Sequence, residues 1–384
     1  MKHVVLLLFG MFALGADAYV MAGILPQIAD SYQVSIGWAG QSVSIFTLCY
    51  AIAAPLFAAL VSQVNTKQIL IGALGLFTIA NVLTVLADDY ILLLLSRGLA
   101  GVGAGLYSPL ASAAAVQLAP PERSGRALGL ILLGMSAGTV VGVPLGIYIS
   151  SISDWRWTIG FIASISAIGM AALWLRLPGV AVKQVPTLRE RVALFKHRQV
   201  KNVMLVTMIL SFCSLGLYTY LERILLAYGY SKPMAFLWMW GAGGILGSLA
   251  IGFIMDRYRR PKSIVLVLIL LLMTSMLLMG PAHRHPFTLA IPLLVWGAAG
   301  WASIAAQQKT LVEISAEHAA IAIALLSSIN YLAGAVGTMI FGLLLEQEAA
   351  PSLLPYIAAL ALLGAALLHA VRVMDRRSKA SVPS

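Results

Sequence analysis

Charge is what this chain has least of. Asp, Glu, Lys and Arg make up 10% of its residues, against about 25% in soluble domains. That excludes a water-covered globule. Cysteine is nearly absent too. Cys49 and Cys213 both lie inside apolar runs, which excludes a disulfide framework and a thiolate metal site. His3, His197, His283, His285, His318 and His369 fall mainly near helix ends or in loops, and no HExxH motif or Cys/His cluster occurs. No GxxxxGKS or GxxxxGKT loop is present, so nothing predicts a nucleotide held in the P-loop manner. No cofactor and no metal are expected. Acidic residues are the scarcer sign, which leaves a formal net charge of +11.

What the chain has instead is apolar length. Hydrophobic residues form 60% of it, and mean hydropathy is +0.93. A helix crossing a membrane needs about 20 mostly apolar residues, and many such runs are present. A transmembrane β-barrel alternates apolar and polar residues and is far less hydrophobic. The expected fold is an all-α polytopic membrane protein. Turn residues and charges divide it into twelve helices, near 4–28, 36–61, 67–87, 90–118, 125–151, 155–177, 201–228, 233–255, 262–281, 286–311, 318–345 and 352–373. The first run also looks like a secretory signal peptide, with a basic start and Ala16-Asp17-Ala18 as a small-x-small site. It stays apolar through "YVMAGILPQI", so it is read as an uncleaved first span.

The basic residues test that count. With the N-terminus inside, twelve spans put every Lys and Arg on the cytoplasmic side except Lys232, Arg284, Arg156, Arg97 and Arg223. This positive-inside bias predicts both termini in the cytoplasm. The net charge is thus read as topology, with no nucleic-acid partner. The longest polar stretch separates two groups of six helices. The predicted domains are a bundle over 1–177, a cytoplasmic linker over 178–200, a second bundle over 201–373 and a tail over 374–384. In the linker, "TLRERVALFKHRQVK" reads equally as a surface-lying amphipathic helix or a solvated basic segment. "LVSQVNTKQILIG" and "IMDRYRRPKSIVLV" occupy the same place in each half, after helices 2 and 8. Two similar halves suggest pseudo-symmetric bundles with a substrate path at their interface.

Three motifs follow in order on the expected helices. They are "RGLAGVGAG" in helix 4 (Arg97, Gly101, Gly103, Gly105), "GMSAGTVVGVPLG" in helix 5 (Gly134, Gly138, Gly142, Pro144, Gly146) and "GFIMDRYRRPKS" after helix 8 (Asp256, Arg257, Arg260). With the 6+6 split they resemble, across essentially the whole chain, the major facilitator superfamily. They look like its RxxxGxGxG motif, the antiporter motif of its drug:proton exporters and the second-half copy of its cytoplasmic gating motif. "GILPQIAD", "WRW" and "WGAAGWASIAAQQKTLVEISAE" are similar to a branch that includes sugar (arabinose) efflux permeases and purine base or nucleoside efflux pumps. The resemblance implies a monomeric transporter in the cytoplasmic (inner) membrane of a bacterium. Its partners would be a small-molecule substrate, protons and the lipid bilayer. One departure stands out: the first-half gating loop reads "VSQVNTKQ", with Lys67 its only charge, where the family usually has an Asp and several Arg.

Asp17 interrupts an apolar span. It lies about 13 residues, or about 20 Å, from the cytoplasmic start of helix 1, and Arg97 lies about 10 Å from the outer start of helix 4. Both then fall at a similar depth in a core about 30 Å thick. An unpaired charge there costs several kcal/mol, so the two are expected to meet. Three readings stay open: a proton-coupling carboxylate tuned by Arg97, a static ion pair, or a water-exposed substrate contact. Glu222 and Arg223, in the outer part of helix 7, either form a second coupling site or face outer water. Gly134, Gly138 and Gly142 repeat every four residues, which predicts close helix packing. The motif adds bending at Pro144 and a seal of helix 5 against a helix of the other half. Tyr19, Tyr50, Tyr218, Trp301, Gln308 and Asn330 are candidate cavity-lining residues, each equally readable as contacts between helices. The expectation is a secondary transporter exporting a sugar, a purine base or nucleoside, or an amphiphilic drug by proton antiport. An importer or facilitator on the same scaffold is the alternative. A membrane enzyme would need a polar catalytic cluster at the membrane face; none is visible, so no enzyme is expected.

Overall fold

The computed structural model describes residues 2–60, 65–120, 124–179, 197–231, 233–258, 261–314 and 319–380. They form α1 (Lys2–Tyr32), α2 (Ile36–Leu60), α3 (Thr66–Val85), α4 (Tyr90–Leu118), α5 (Ser124–Ala137), α6 (Val143–Ile152), α7 (Trp155–Arg176), α8 (Arg198–Thr219), α9 (Leu221–Ala227), α10 (Met234–Tyr258), α11 (Pro261–Ala282), α12 (Pro286–Ile314), α13 (Ala319–Glu346) and α14 (Leu354–Ala380). Among the described residues, twelve helices are long and apolar enough to cross a membrane. The fold is all-α and polytopic.

Local chemistry sets the helix starts. Asp89 caps α4 by accepting from the Leu92 N–H at 2.8 Å, and Asp154 caps α7 by accepting from the Arg156 N–H at 2.7 Å. Asn65 does the same for α3 from the Lys67 N–H at 3.0 Å. Each side chain satisfies a donor that the helix itself leaves open.

The described chain departs from twelve regular helices in three places. The fifth span is α5 and α6 joined by a π-helical turn, Gly138–Gly142. Pro144 has no N–H to offer the Val140 carbonyl, and the Val143 N–H bonds the Gly138 oxygen five residues back. The seventh span was expected to run to 228. It breaks at Tyr220 (φ −105°, ψ 11°), and α9 follows as a separate short helix. The last helix runs on to Ala380, into the expected tail. The question of an amphipathic helix in the linker lies outside the described residues, which omit 180–196.

Contacts group the chain into two units, Met1–Val192 with Thr338–Glu346 and Ala193–Gly337 with Gln347–Ser384. In the first, α4 packs on α2 and α3, and α7 packs on α3 and α1. In the second, α12 packs on α10 and α11, and α14 packs on α11 and α8. The fourth span of each half thus pairs with the second and third, and the sixth with the third and first. Small residues permit the closest of these approaches. A Cβ on Gly101 or Gly105 would collide with the Phe46 or Tyr50 carbonyl of α2, and one on Gly243 or Gly247 with the Leu294 or Ala298 carbonyl of α12.

Candidate functional site

The first unit buries an ion pair at its centre. Arg97 Nη1 donates to Asp17 Oδ1 at 2.9 Å, and Nη2 donates to Asp17 Oδ2 at 3.0 Å. Both side chains are at most 1% exposed. This two-bond fork is the strongest arrangement available to arginine and a carboxylate. Two further helices complete it. Asn81 Oδ1 of α3 accepts from Nη1 at 3.3 Å, and Asn81 Nδ2 is anchored on the Phe77 carbonyl at 3.1 Å. The Phe46 ring of α2 lies under the guanidinium, 4.6 Å from Cζ to centroid, where a cation meets the negative face of the ring. α1, α2, α3 and α4 therefore each contribute one residue. Arg97 Nε has no hydrogen-bond partner among the described residues. Asn81 and Phe46 were not anticipated from sequence.

Tyr50 sits one turn beyond Phe46, with ring centroids 6.5 Å apart. Tyr19 is two residues from Asp17, about 200° around the helix, so it lies on another face of α1.

The glycine motif packs on α1. Gly134 faces Leu8, Gly138 faces Phe12, Gly142 faces Ala16 and Gly146 faces Val20. Both helices advance by four residues per contact, so the two run parallel. This corrects the expected partner: the stripe lies against α1 of the same unit, because a Cβ on any of these glycines would point at α1. The π-helical turn meets the turn of α1 just before Asp17. Thr139 Oγ1 reaches the Gly15 carbonyl there at 3.4 Å, and π-helical turns recur at functional sites.

In the second unit, α8 carries a polar stripe. Thr207, Ser211, Ser214 and Tyr218 follow helical spacing along one face. Thr207 Oγ1 donates to Gln307 Oε1 at 2.5 Å, Ser211 Oγ to Asn330 Oδ1 at 2.6 Å, and the Trp296 indole N–H to Ser214 Oγ at 2.8 Å. Tyr218 packs on Trp240 at 4.1 Å between centroids, and Trp301 meets the same indole edge-on at 5.8 Å. Tyr218 and Trp301 are thus brought together by Trp240, which sequence reasoning missed. Gln308 is half-buried, while its neighbour Gln307 is 2% exposed and bonded. The hydroxyl spacing along α8 was the signal that would have found this face.

A model of the Major Facilitator Superfamily matches residues 7–338. The chain belongs to that superfamily. Among curated proteins it is similar to the uncharacterized MFS-type transporter YbcL of Bacillus subtilis, 30% identical over 89% of this chain and 88% of that one. It is similar to the inner membrane transport protein YdhP of Escherichia coli, 29% identical over 94% and 93%. A probable sugar efflux transporter of Helicobacter acinonychis is 23% identical over 74% and 73%. Among solved structures, the nucleoside transporter NupG shares the fold, with TM-score 0.79 and 16% identity over 96% of this chain and 98% of that one.

The remaining expected sites of this major facilitator protein divide. Glu222 lies on α9, half-buried, and its Oε2 has no hydrogen-bond partner among the described residues. Arg223 is exposed. Arg257, in the gating motif, is exposed at the end of α10. The Asp256 side chain and all of Arg260 lie outside the described residues, as does the first half of the "VSQVNTKQ" loop, residues 61–64. Among the described residues no group of His, Cys, Asp or Glu is placed to hold a metal ion.

Proposed function

We propose that this transporter exports a small molecule in exchange for protons, by alternating access, and that Asp17 carries the proton. The buried two-bond pair of Asp17 and Arg97 is the observation that carries the reading. Protonating Asp17 there neutralises the carboxylate and leaves the guanidinium as an uncompensated buried cation, a cost of about 3–5 kcal/mol. Proton uptake is therefore tied to a rearrangement in which Arg97 meets water or another partner. Coupling requires that tie. Cargo that favours the paired arrangement expels the proton, and cargo release permits its return.

Glu222 is the second carboxylate available for this role. Tyr19, Tyr50, Tyr218, Trp301, Gln308 and Asn330 remain the proposed cargo contacts. A relative named for sugar efflux and a fold neighbour named for nucleoside transport support a sugar or nucleoside cargo. The scarcity of membrane charge argues against a strongly anionic one. The protein works in this reading as a monomer in the inner membrane, with both termini in the cytoplasm. The test is internal pH in proteoliposomes on adding sugars, nucleosides and cationic drugs, for the native protein and Asp17→Asn. Proton movement driven by one compound class and lost in the variant supports the reading. Proton movement that survives in Asp17→Asn makes the pair structural and moves the role to Glu222.

A further inference from the structure

Arg97 is short of acceptors rather than donors. A guanidinium has five N–H bonds, and three are used: Nη1 gives to Asp17 and Asn81, and Nη2 to Asp17. Nε is buried without a partner. Among the described residues, the oxygens that receive from Arg97 are those of Asp17 and Asn81 alone. Both residues are fully buried. The Phe46 ring offers a π face and no lone pair. Asn81 is fixed in orientation. Its Nδ2 donates to the Phe77 carbonyl at 3.1 Å, and a carbonyl only accepts. The amide oxygen is therefore the atom that faces Arg97. It stands at 3.3 Å, against 2.9 and 3.0 Å for the two carboxylate bonds. The guanidinium is drawn to α1 and loosely held by α3.

The two partners sit on helices with different ties to α4. α3 and α4 are pinned on both sides of Asn81. One turn along α3, Thr84 Oγ1 donates to Ser96 Oγ at 2.9 Å. One turn the other way, a Cβ on Gly103 of α4 would collide with the Phe77 nitrogen at 2.7 Å. Asn81 therefore moves with Arg97. Asp17 lies on α1, which packs on α4 less extensively than α3 does. Arg97 is also the charged group that meets Asp17. Among the other helices packed on α1, α2 and α6 carry no Asp, Glu, Lys, Arg or His, and α5 and α7 carry them at their ends, as Arg126, Arg156 and Arg176. Tyr19, Cys49, Tyr50 and Tyr107 add phenols and a thiol. When a proton from solvent forms an O–H bond on Asp17, the carboxylate loses its charge and its hold on Arg97. Asn81 is still in place. A small shift toward α3 closes the contact to an ordinary N–H···O bond of about 2.9 Å. We propose that Asn81 is the standby acceptor for Arg97, taking the guanidinium while Asp17 holds the proton and returning it when the proton leaves. This role rests on Asp17 as the proton carrier, and gives Arg97 the partner that its rearrangement needs.

The experiment is an infrared pH titration of the purified full chain in detergent. The signal is the C=O band of a protonated carboxyl that is absent in Asp17→Asn. In Asn81→Leu the carboxylate is left as the sole acceptor for Arg97, so its charge is held harder. The pH at which half of the band is present is expected to fall by about one unit, a tenfold loss of proton affinity. Thr78→Val breaks a buried contact one turn away on α3, between the Thr78 and Ser166 hydroxyls 2.9 Å apart. It is expected to lower thermal stability and leave the midpoint in place. Thermal unfolding checks that each variant is folded. An unchanged midpoint in Asn81→Leu overturns the standby role and leaves Asp17 as the carrier. An equal shift in Thr78→Val overturns it in favour of a general loosening of α3. A native protein with no such band at any pH overturns the standby role together with Asp17 as the carrier.

Discussion

A single carboxylate in an apolar span has to be answered by another residue, and Arg97 answers Asp17 with both of its terminal nitrogens. Removing one partner strands the other. Asp17→Asn and Arg97→Gln are each expected to lose about 3–5 kcal/mol of stability, and the double variant to recover most of it. Thermal unfolding in detergent, with the three variants side by side, checks this. A smaller loss is expected for Thr207→Val, which leaves the Gln307 carbonyl oxygen buried without its donor, at about 1–3 kcal/mol. The pair was legible before any coordinates, because depth along two spans is simple arithmetic and membrane charges need partners. Asn81 and Phe46 were not legible. An asparagine or phenylalanine in a span looks the same in sequence whether it supports an arginine or packs against a neighbour. The same limit hid Gln307, bonded to Thr207 beside the proposed Gln308.

Spans are visible to hydropathy; what interrupts them is not. The π-helical turn at Gly138–Gly142 and the break at Tyr220 change hydrogen-bond partners without changing apolar content. The glycine stripe announced a close approach, but small size does not say to which helix. The answer is α1, and the contact can be tested by adding one methyl group. A Cβ on Gly138 would collide with the Phe12 carbonyl, whereas one on Gly129 meets nothing within 4 Å. Gly138→Ala is expected to destabilise by about 1–3 kcal/mol through overpacking. Gly129→Ala, exposed on the same helical span, is expected to be neutral or to gain up to about 1 kcal/mol from helix propensity. Equal effects of the two in thermal unfolding would contradict the packing.

At the scale of the whole molecule, few charges make a membrane protein and their placement orients it. The positive-inside bias predicts that Asp154→Cys is labelled by a membrane-impermeant thiol reagent in intact cells, and Arg257→Cys only after permeabilisation. Both residues are exposed, so a reversed pattern would invert the proposed topology. Twelve spans were legible because hydrophobic length, charge bias and motif order agree; which helices pair within each unit was not. The cargo was not, since aromatic and amide side chains serve packing and binding alike. The central claim is that cargo and proton exclude each other through Asp17. It is tested most directly by counting protons released when cargo binds to purified protein in weakly buffered detergent. The account predicts about one proton released per cargo bound by the native protein. It predicts none from the folded double variant Asp17→Asn with Arg97→Gln. Equal release by that variant would contradict it.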